Sequence, residues 1–471
     1  MYDHADLRPL LDRLAAEIDR VYDRVRELPV TPTIGVPELR SRIEAAFQFD
    51  APKSATQVFD QAAGFLRDYS LHVTHPRYFG LFNPAVLPST IVADALVALY
   101  NAQAGGWSHG PAANEMERAV LQYLARTLGF PPNTMSAHFT SGGNEANHTA
   151  VVTALAHSFP EWSAGGVRAL PAQPVIYVSS ESHHSFLKVV RATGLGTSAL
   201  RALPADDDLR LRASTVDAAV TSDRSRGAHP LMLVATAGTT GAGAIDPLDE
   251  LGAVAARHGL WYHVDAAWGG TAALVPRLRP LLAGVERADS VTWDAHKWLN
   301  VPLGAGMFFT RHEAALAQAF GVDTGYIPPT EAGAIDLYKY SMQWSRRFIG
   351  LKVLFALSEY GREGMAELLD GQARMGDLLR SRLREAGWMI ENETALPLVC
   401  FTHPTLGRQR ADTTRFVSRV LARRRVWISE VLLPRRDWVL RACITSFRVD
   451  ESDLDVLVDE LEQVRREIGG G

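Results

Sequence analysis

The sequence predicts an α/β protein, with a mainly parallel central sheet, helices on both of its faces, and a smaller C-terminal α+β domain. Three observations lead there. Between about 76 and 350, short β-rich runs alternate with helical segments. Those runs are almost continuously apolar, as parallel strands buried on both faces must be. After 350 the chain turns to helices with a few short strands, such as LPLVCFT and WVLRACIT. A length of 471 residues, 47% of them apolar, supplies core for more than one domain. The expected division is 1–75, 76–350 and 351–471.

Residues 6–27 place Leu10, Leu11, Leu14, Ile18, Val21 and Val25 at helical spacing, which predicts an amphipathic helix. The Pro-bearing linker LPVTPTIGVP follows, and the chain stays helical and polar to about 75, as suits an arm packed on something else. The predicted strands are VIYVS (175–179), LMLVATA (231–237), LWYHVDAA (260–267), SVTWDAH (290–296) and GAGMFFT (304–310). One helix is expected in detail: Asp246 caps it, Pro247 takes the first turn, Leu248, Leu251 and Val254 form its stripe, and Gly259 ends it. In such a sheet, ligands bind beyond the C-terminal strand ends, where HVDAA and WDAHK finish.

Bulk properties remove several classes of function. A net charge of −5 with scattered positive residues argues against nucleic acid as a partner. The longest run without a charged residue, 95–114, turns polar and Gly-bearing, so no membrane span is expected. The first residues, MYDHADLRPLLDRL, carry charges where a signal peptide needs an apolar core. Two cysteines, Cys400 and Cys443, offer neither a disulfide framework nor metal spacing, which fits a cytoplasmic protein. His183, His184, His263 and His296 come from separate strand ends without a HExxH pattern, so no metal site is expected.

The chain holds only five lysines against 43 arginines, and one of them, Lys297, directly follows a predicted strand. A lysine taken out of water can form a Schiff base. Asp265, at the end of the preceding predicted strand, could keep a pyridine nitrogen protonated, the pairing that makes pyridoxal phosphate an electron sink. The same two residues could instead form a structural ion pair. In FTSGGNEANHTAVVTALA (139–156), Gly142 and Gly143 precede a helical run, where free backbone N–H groups can face a phosphate and Asn144 adds a donor. Gly-Gly before a helix is also an ordinary tight turn.

Together, TSGGNEAN, SSESHHSFLKV, ATAGTTGAGAID, HVDAAWGG and DAHKWL, in this order, resemble the group II pyridoxal-phosphate-dependent amino-acid decarboxylases. The likeness runs from HPRYFGLFNP at 75 to LRACITSFRVDESDLD near 455. It implies the fold type I, aspartate aminotransferase-like architecture, a homodimer, and exchanged N-terminal helices that would explain the polar arm. It implies that Lys297 binds pyridoxal 5'-phosphate covalently and that Asp265 pairs with the ring nitrogen. Gly142, Gly143 and Asn144 would hold the phosphate, with Asp294 and His296 close by. His184, the second histidine of SHHS, would stack on the ring, with His183 a neighbour, and Thr240 would sit near the ring oxygen or the substrate. Family members often carry Ser or Thr where this chain has Asn144, and many carry Asn where it has Asp294.

The segment after 320, FGVDTGYIPPTEAGAIDLYKYSMQWSRRF, is polar and Pro/Gly-bearing, like a lid closing over substrate. Its Asp323-x-x-Tyr326 resembles the family's mobile loop, which implies that Tyr326 completes protonation of Cα after CO2 leaves. Relatives that make aldehydes with oxygen tend to lack that tyrosine or the ring-stacking histidine. The expected activity is decarboxylation of an L-amino acid to its amine. For the substrate pocket, Tyr78, Phe79, Phe82, Pro84 and Trp107 favour an aromatic side chain, while Arg77 could serve an acidic one.

Overall fold

The computed structural model describes residues 7–325, 332–434 and 436–469. Three helices open it: α1 (Arg8–Arg24), α2 (Val36–Ala46) and α3 (Ala55–Tyr69). α3 begins with a capping box, in which Ser54 and Gln57 satisfy each other's backbone N–H. Arg67 of α3 grips Glu17 of α1 at 3.0 Å. The stripe on α1 stays open in the single chain, with Leu11 47% and Leu14 38% exposed.

After α4 (Pro88–Tyr100) and α5 (Pro111–Thr127), the chain enters a seven-stranded sheet. Its strands are β1 (Ser136–Thr140), β2 (Pro174–Ser179), β3 (Leu200–Leu203), β4 (His229–Thr236), β5 (Trp261–Asp265), β6 (Ser290–Asp294) and β7 (Gly306–Thr310). Their order is β1-β7-β6-β5-β4-β2-β3. The neighbours from β6 through β3 are parallel, and β7 runs antiparallel between β1 and β6. Strands β2, β5, β6 and β7 are buried along their whole length, which is why they appear as unbroken apolar runs. Helix α6 (Gly143–Ser158) packs beneath the sheet through Ala146, Ala150, Val151, Ala154 and Leu155, all fully buried.

The kinked helix Gly350–Glu385 then leads to a second, antiparallel sheet. It contains β8 (Met389–Ile390), β9 (Leu398–Thr402), β10 (Ser429–Leu433) and β11 (Asp437–Cys443), in the order β10-β11-β9-β8. Among the described residues, no helix is long and apolar enough to cross a membrane.

The five predicted strands are present as β2, β4, β5, β6 and β7, while β1 and β3 were not foreseen. The helix Leu248–His258 buries Leu248, Leu251 and Val254 and ends at Gly259 in the left-handed region (φ 64°), as predicted. Its expected start is corrected: Pro247 is the residue before the first turn, not within it. Asp246 makes no cap; its carboxylate accepts the N–H groups of Leu211 and Thr236, both at 2.8 Å. It thereby ties the end of β4 to the loop that leads into the preceding helix, Ala213–Ser225, and burial pushes its carboxyl up to about 7.

Candidate active site

β7 runs antiparallel to both of its neighbours, so β1 and β6 point the same way and end at the same edge as β2, β4 and β5. Each of those ends delivers residues to one cleft of about 450 Å³. Gly142, Gly143 and Asn144 follow β1, and His183 follows β2. Thr236 and Thr240 come from the end of β4, Asp265 and Trp268 from β5, and Asp294, His296 and Lys297 from β6.

Gly143 and Asn144 open the 16-residue helix α6, and first-turn amides have no intrahelical acceptor. Two amides and the positive end of the helix dipole therefore face the cleft. A Cβ at Gly143 would come within 2.7 Å of Asp294 Oδ2, so the helix starts this close to β6 only because the residue is glycine.

Lys297 is partly buried, and its Nζ lies 3.0 Å from Asp294 Oδ2. The structural ion pair considered for Lys297 and Asp265 is absent among the described residues; the lysine's counter-ion is Asp294 instead. Asp294 is 1% exposed, and its Oδ1 has no hydrogen-bond partner among the described residues. His296 accepts the Ala305 N–H on Nδ1 at 3.1 Å, with Nε2 3.8 Å from Asp294. Burial lowers the His296 pKa, and the Asp294 charge opposes that shift.

Asp265, 4% exposed, accepts the Asn147 amide on Oδ2 at 2.9 Å and the Ala267 N–H on Oδ1 at 3.1 Å. Two donors hold it as an acceptor. Asn147 lines the cleft too, one turn of α6 after Asn144. Sequence reasoning passed over it although it lies inside the TSGGNEAN motif. The signal was its spacing: positions three apart on a helix share a face.

The histidine at the cleft is His183. Burial lowers its pKa and Asp265 pulls the other way, so its ring is mainly neutral near pH 7. His184, expected in this position, directly precedes the helix Ser185–Ala192 and is not among the cleft residues; both histidines are exposed in the single chain. The chain after β2 turns through Ser182, whose Oγ takes the Ser179 N–H at 3.1 Å, and His183 follows this turn at the cleft.

The predicted pocket aromatics lie elsewhere in the chain. Phe79 is fully buried in the C-terminal core with Phe401 and Phe416. Tyr78 packs on Trp427 at 5.1 Å, and Pro84 is buried. Trp107 donates its N–H to Asp336 at 2.8 Å and its indole N–H to Glu115 at 3.2 Å. Phe82 alone touches the cleft wall, stacked on Trp268 at 4.5 Å. Arg77 is taken by the fully buried Asp453 at 2.9 Å, which Arg26 also grips. Tyr326 lies outside the described residues. Among the described residues, no cluster of three His, Cys, Asp or Glu side chains is placed to hold a metal ion.

The residues present fit pyridoxal phosphate. The cleft has the volume of a cofactor site, an amine stands at one side, a buried carboxylate faces in from another, and glycine amides open onto it from a helix start. A family model, the pyridoxal-dependent decarboxylase conserved domain, matches residues 37–403. The chain belongs to the pyridoxal-dependent decarboxylase family. It is similar to the tyrosine decarboxylase of Oryza sativa subsp. japonica, 32% identical over 422 residues, covering 85% of this chain and 77% of the relative. The histidine decarboxylase of Rattus norvegicus is 30% identical over 391 residues, or 80% of this chain, which spans 59% of that relative's length. The crystal structure of mouse CSAD superposes with a TM-score of 0.89 at 25% identity, covering 98% of this chain and 99% of the other. The fold is accordingly that of the pyridoxal-phosphate decarboxylases, and the chain's cofactor is pyridoxal 5'-phosphate.

Proposed function

We propose that the protein decarboxylates an aromatic L-amino acid to the corresponding amine and CO2. The observation that carries this is the convergence of Lys297, Asp265 and the glycine amides on one cleft in a chain of this family. Pyridoxal phosphate supplies the electron sink for the pair left on Cα when CO2 departs. Lys297 Nζ would hold the cofactor through its aldehyde carbon. Asp265 would keep a proton on the ring nitrogen, and the Gly143 and Asn144 amides would receive the phosphate. His183, rather than His184, would lie over the ring.

Three features support an aromatic substrate. Trp268, backed by Phe82, gives the cleft a flat apolar wall. Arg77 is held by Asp453, away from any acidic side chain. One relative reported above is a tyrosine decarboxylase.

The working molecule in this reading is a cytoplasmic homodimer divided at 1–75, 76–350 and 351–471. Leu11 and Leu14 on α1, and Val92, Leu99 and Tyr100 on α4, are exposed apolar residues that a second copy would cover. Cys400 and Cys443 are buried free thiols, compatible with a reducing compartment. A panel of amino acids scored for amine and CO2 tests the reading. Turnover of glutamate or a diamino acid in preference to tyrosine, tryptophan, dihydroxyphenylalanine or histidine would overturn the substrate class.

A further inference from the structure

Behind Asp265 lies a run of buried polar groups. Trp261 Nε1 donates to Ser290 Oγ at 2.8 Å, and Ser290 Oγ lies 2.8 Å from His263 Nδ1. His263 Nε2 is 3.1 Å from Asn147 Oδ1, and Asn147 Nδ2 is 2.9 Å from Asp265 Oδ2. Trp261 is 4% exposed, Asn147 1%, and Ser290 and His263 are fully buried. We propose that Asn147 is the positioning residue for Asp265, and that Trp261, Ser290, His263 and Asn147 form a one-way chain of hydrogen bonds ending on its carboxylate. The inference rests on Asp265 being the partner of the cofactor's ring nitrogen.

The two ends fix the direction. An indole N–H only donates, and an ionised carboxylate only accepts. Asn147 turns its NH2 to the carboxylate, so its Oδ1 only accepts, and His263 Nε2 carries the proton between them. Nδ1 of the neutral ring then accepts the Ser290 hydroxyl, whose oxygen takes the indole N–H. Asn147 Oδ1 also accepts the Thr292 hydroxyl at 2.8 Å, and the second amide hydrogen reaches Ser185 Oγ at 3.0 Å. All four hydrogen-bonding positions of Asn147 are occupied. Flipping its amide would turn the carbonyl oxygen on the carboxylate and the NH2 on two donors. Burial holds His263 well below the ordinary imidazole range, at about 4, which keeps Nδ1 free to accept.

Oδ2 of Asp265 thus always meets an N–H, and Oδ1 meets that of Ala267. The carboxylate is held in a single orientation, with its remaining lone pairs free for the ring nitrogen. A chain serving stability alone would need neither this direction nor this end point.

The first test is 15N NMR of the full-length holoprotein labelled at histidine. His263 is expected to carry its proton on Nε2 only, between about pH 5.5 and 8; a proton on Nδ1 in that range overturns the chain. The second is Asn147→Leu beside Asp265→Asn, each checked for folding by near-UV circular dichroism. Asn147→Leu is expected to lower kcat by about 10- to 100-fold with KM nearly unchanged, and to move the pH midpoint of the bound cofactor's absorbance. Parent-like kcat and midpoint in Asn147→Leu, with Asp265→Asn crippled, overturns the positioning role. Parent-like Asp265→Asn instead removes the ring-nitrogen reading beneath it. If Asn147→Leu does not fold, Thr292→Val removes one of the donors that orient the amide. Its kcat is expected to fall about 3- to 10-fold, and no change overturns the proposal.

Discussion

Acidification from pH 7 to pH 5 probes the buried imidazole of His263. Burial lowers its pKa from 6.5 to about 4 in the folded protein. The unfolded chain therefore takes up the proton first, and stability that is fully present above 6.5 is lost as the pH falls toward 4. A shift of this size corresponds to about 3 kcal/mol in all, of which about 2 kcal/mol is lost between pH 7 and 5. Other groups titrate as well. His75, pushed down to about 3 by burial, adds to the acid loss. Asp246, raised to about 7, works in the opposite sense: it is protonated in the fold and ionised in the unfolded chain between 3.8 and 7, so stability falls there as the pH rises. A comparison with His263→Gln isolates the imidazole, because glutamine keeps a donor near Nε2 and does not titrate. Denaturant unfolding followed by tryptophan fluorescence, at pH 7 and pH 5, should show the parent losing about 2 kcal/mol more than the variant. Equal losses in the two proteins would refute a neutral, buried His263.

Lys297→Ala should abolish turnover and the visible absorbance of the bound cofactor while circular dichroism stays unchanged; near-parent activity would end the cofactor assignment. His183→Gln should lower kcat by about 100-fold or more, whereas His184→Gln should remain within about threefold, and the reverse order would restore the expectation from sequence. Tyr326→Phe keeps the ring but loses the acidic O–H, so CO2 release should persist while amine falls and oxygen uptake rises. An oxygen electrode run beside amine chromatography decides it, and stoichiometric oxygen use by the parent itself would replace the amine product with an aldehyde. Deleting residues 1–30 should weaken self-association and activity together in sedimentation and turnover assays, and an active, stable monomer would contradict the dimer.

Much of the sheet was legible because burial on both faces leaves little room for polar residues. VIYVS, LMLVATA, LWYHVDAA, SVTWDAH and GAGMFFT could hardly be anything but internal strands. β3 was missed because its central residues, Arg201 and Ala202, are exposed, and only one end of the strand is buried. β1, SAHFT, was missed because it carries His138 and Thr140 inside the fold. His138 is buried with neither ring nitrogen hydrogen-bonded among the described residues, which no periodicity rule anticipates. The cap assigned to Asp246 failed for a related reason. A carboxylate beside a helix start satisfies whichever N–H groups the tertiary fold brings nearest, and here these belong to Leu211 and Thr236.

The sequence by itself determined the class of fold, five of the strands of the large sheet, and the placing of Lys297 and Asp265 at strand ends. Those features rest on local patterns: apolar runs, glycines before a helix, and polar residues placed where a strand stops. Only the tertiary structure decided which side chains meet. Asn147 lies 118 residues from Asp265, and Arg77 lies 376 residues from the Asp453 that holds it. The choice between His183 and His184 turns on one residue of register in the loop after β2. Such pairings are set by packing and by competition for a few buried donors and acceptors, and neither leaves a periodic trace in the chain.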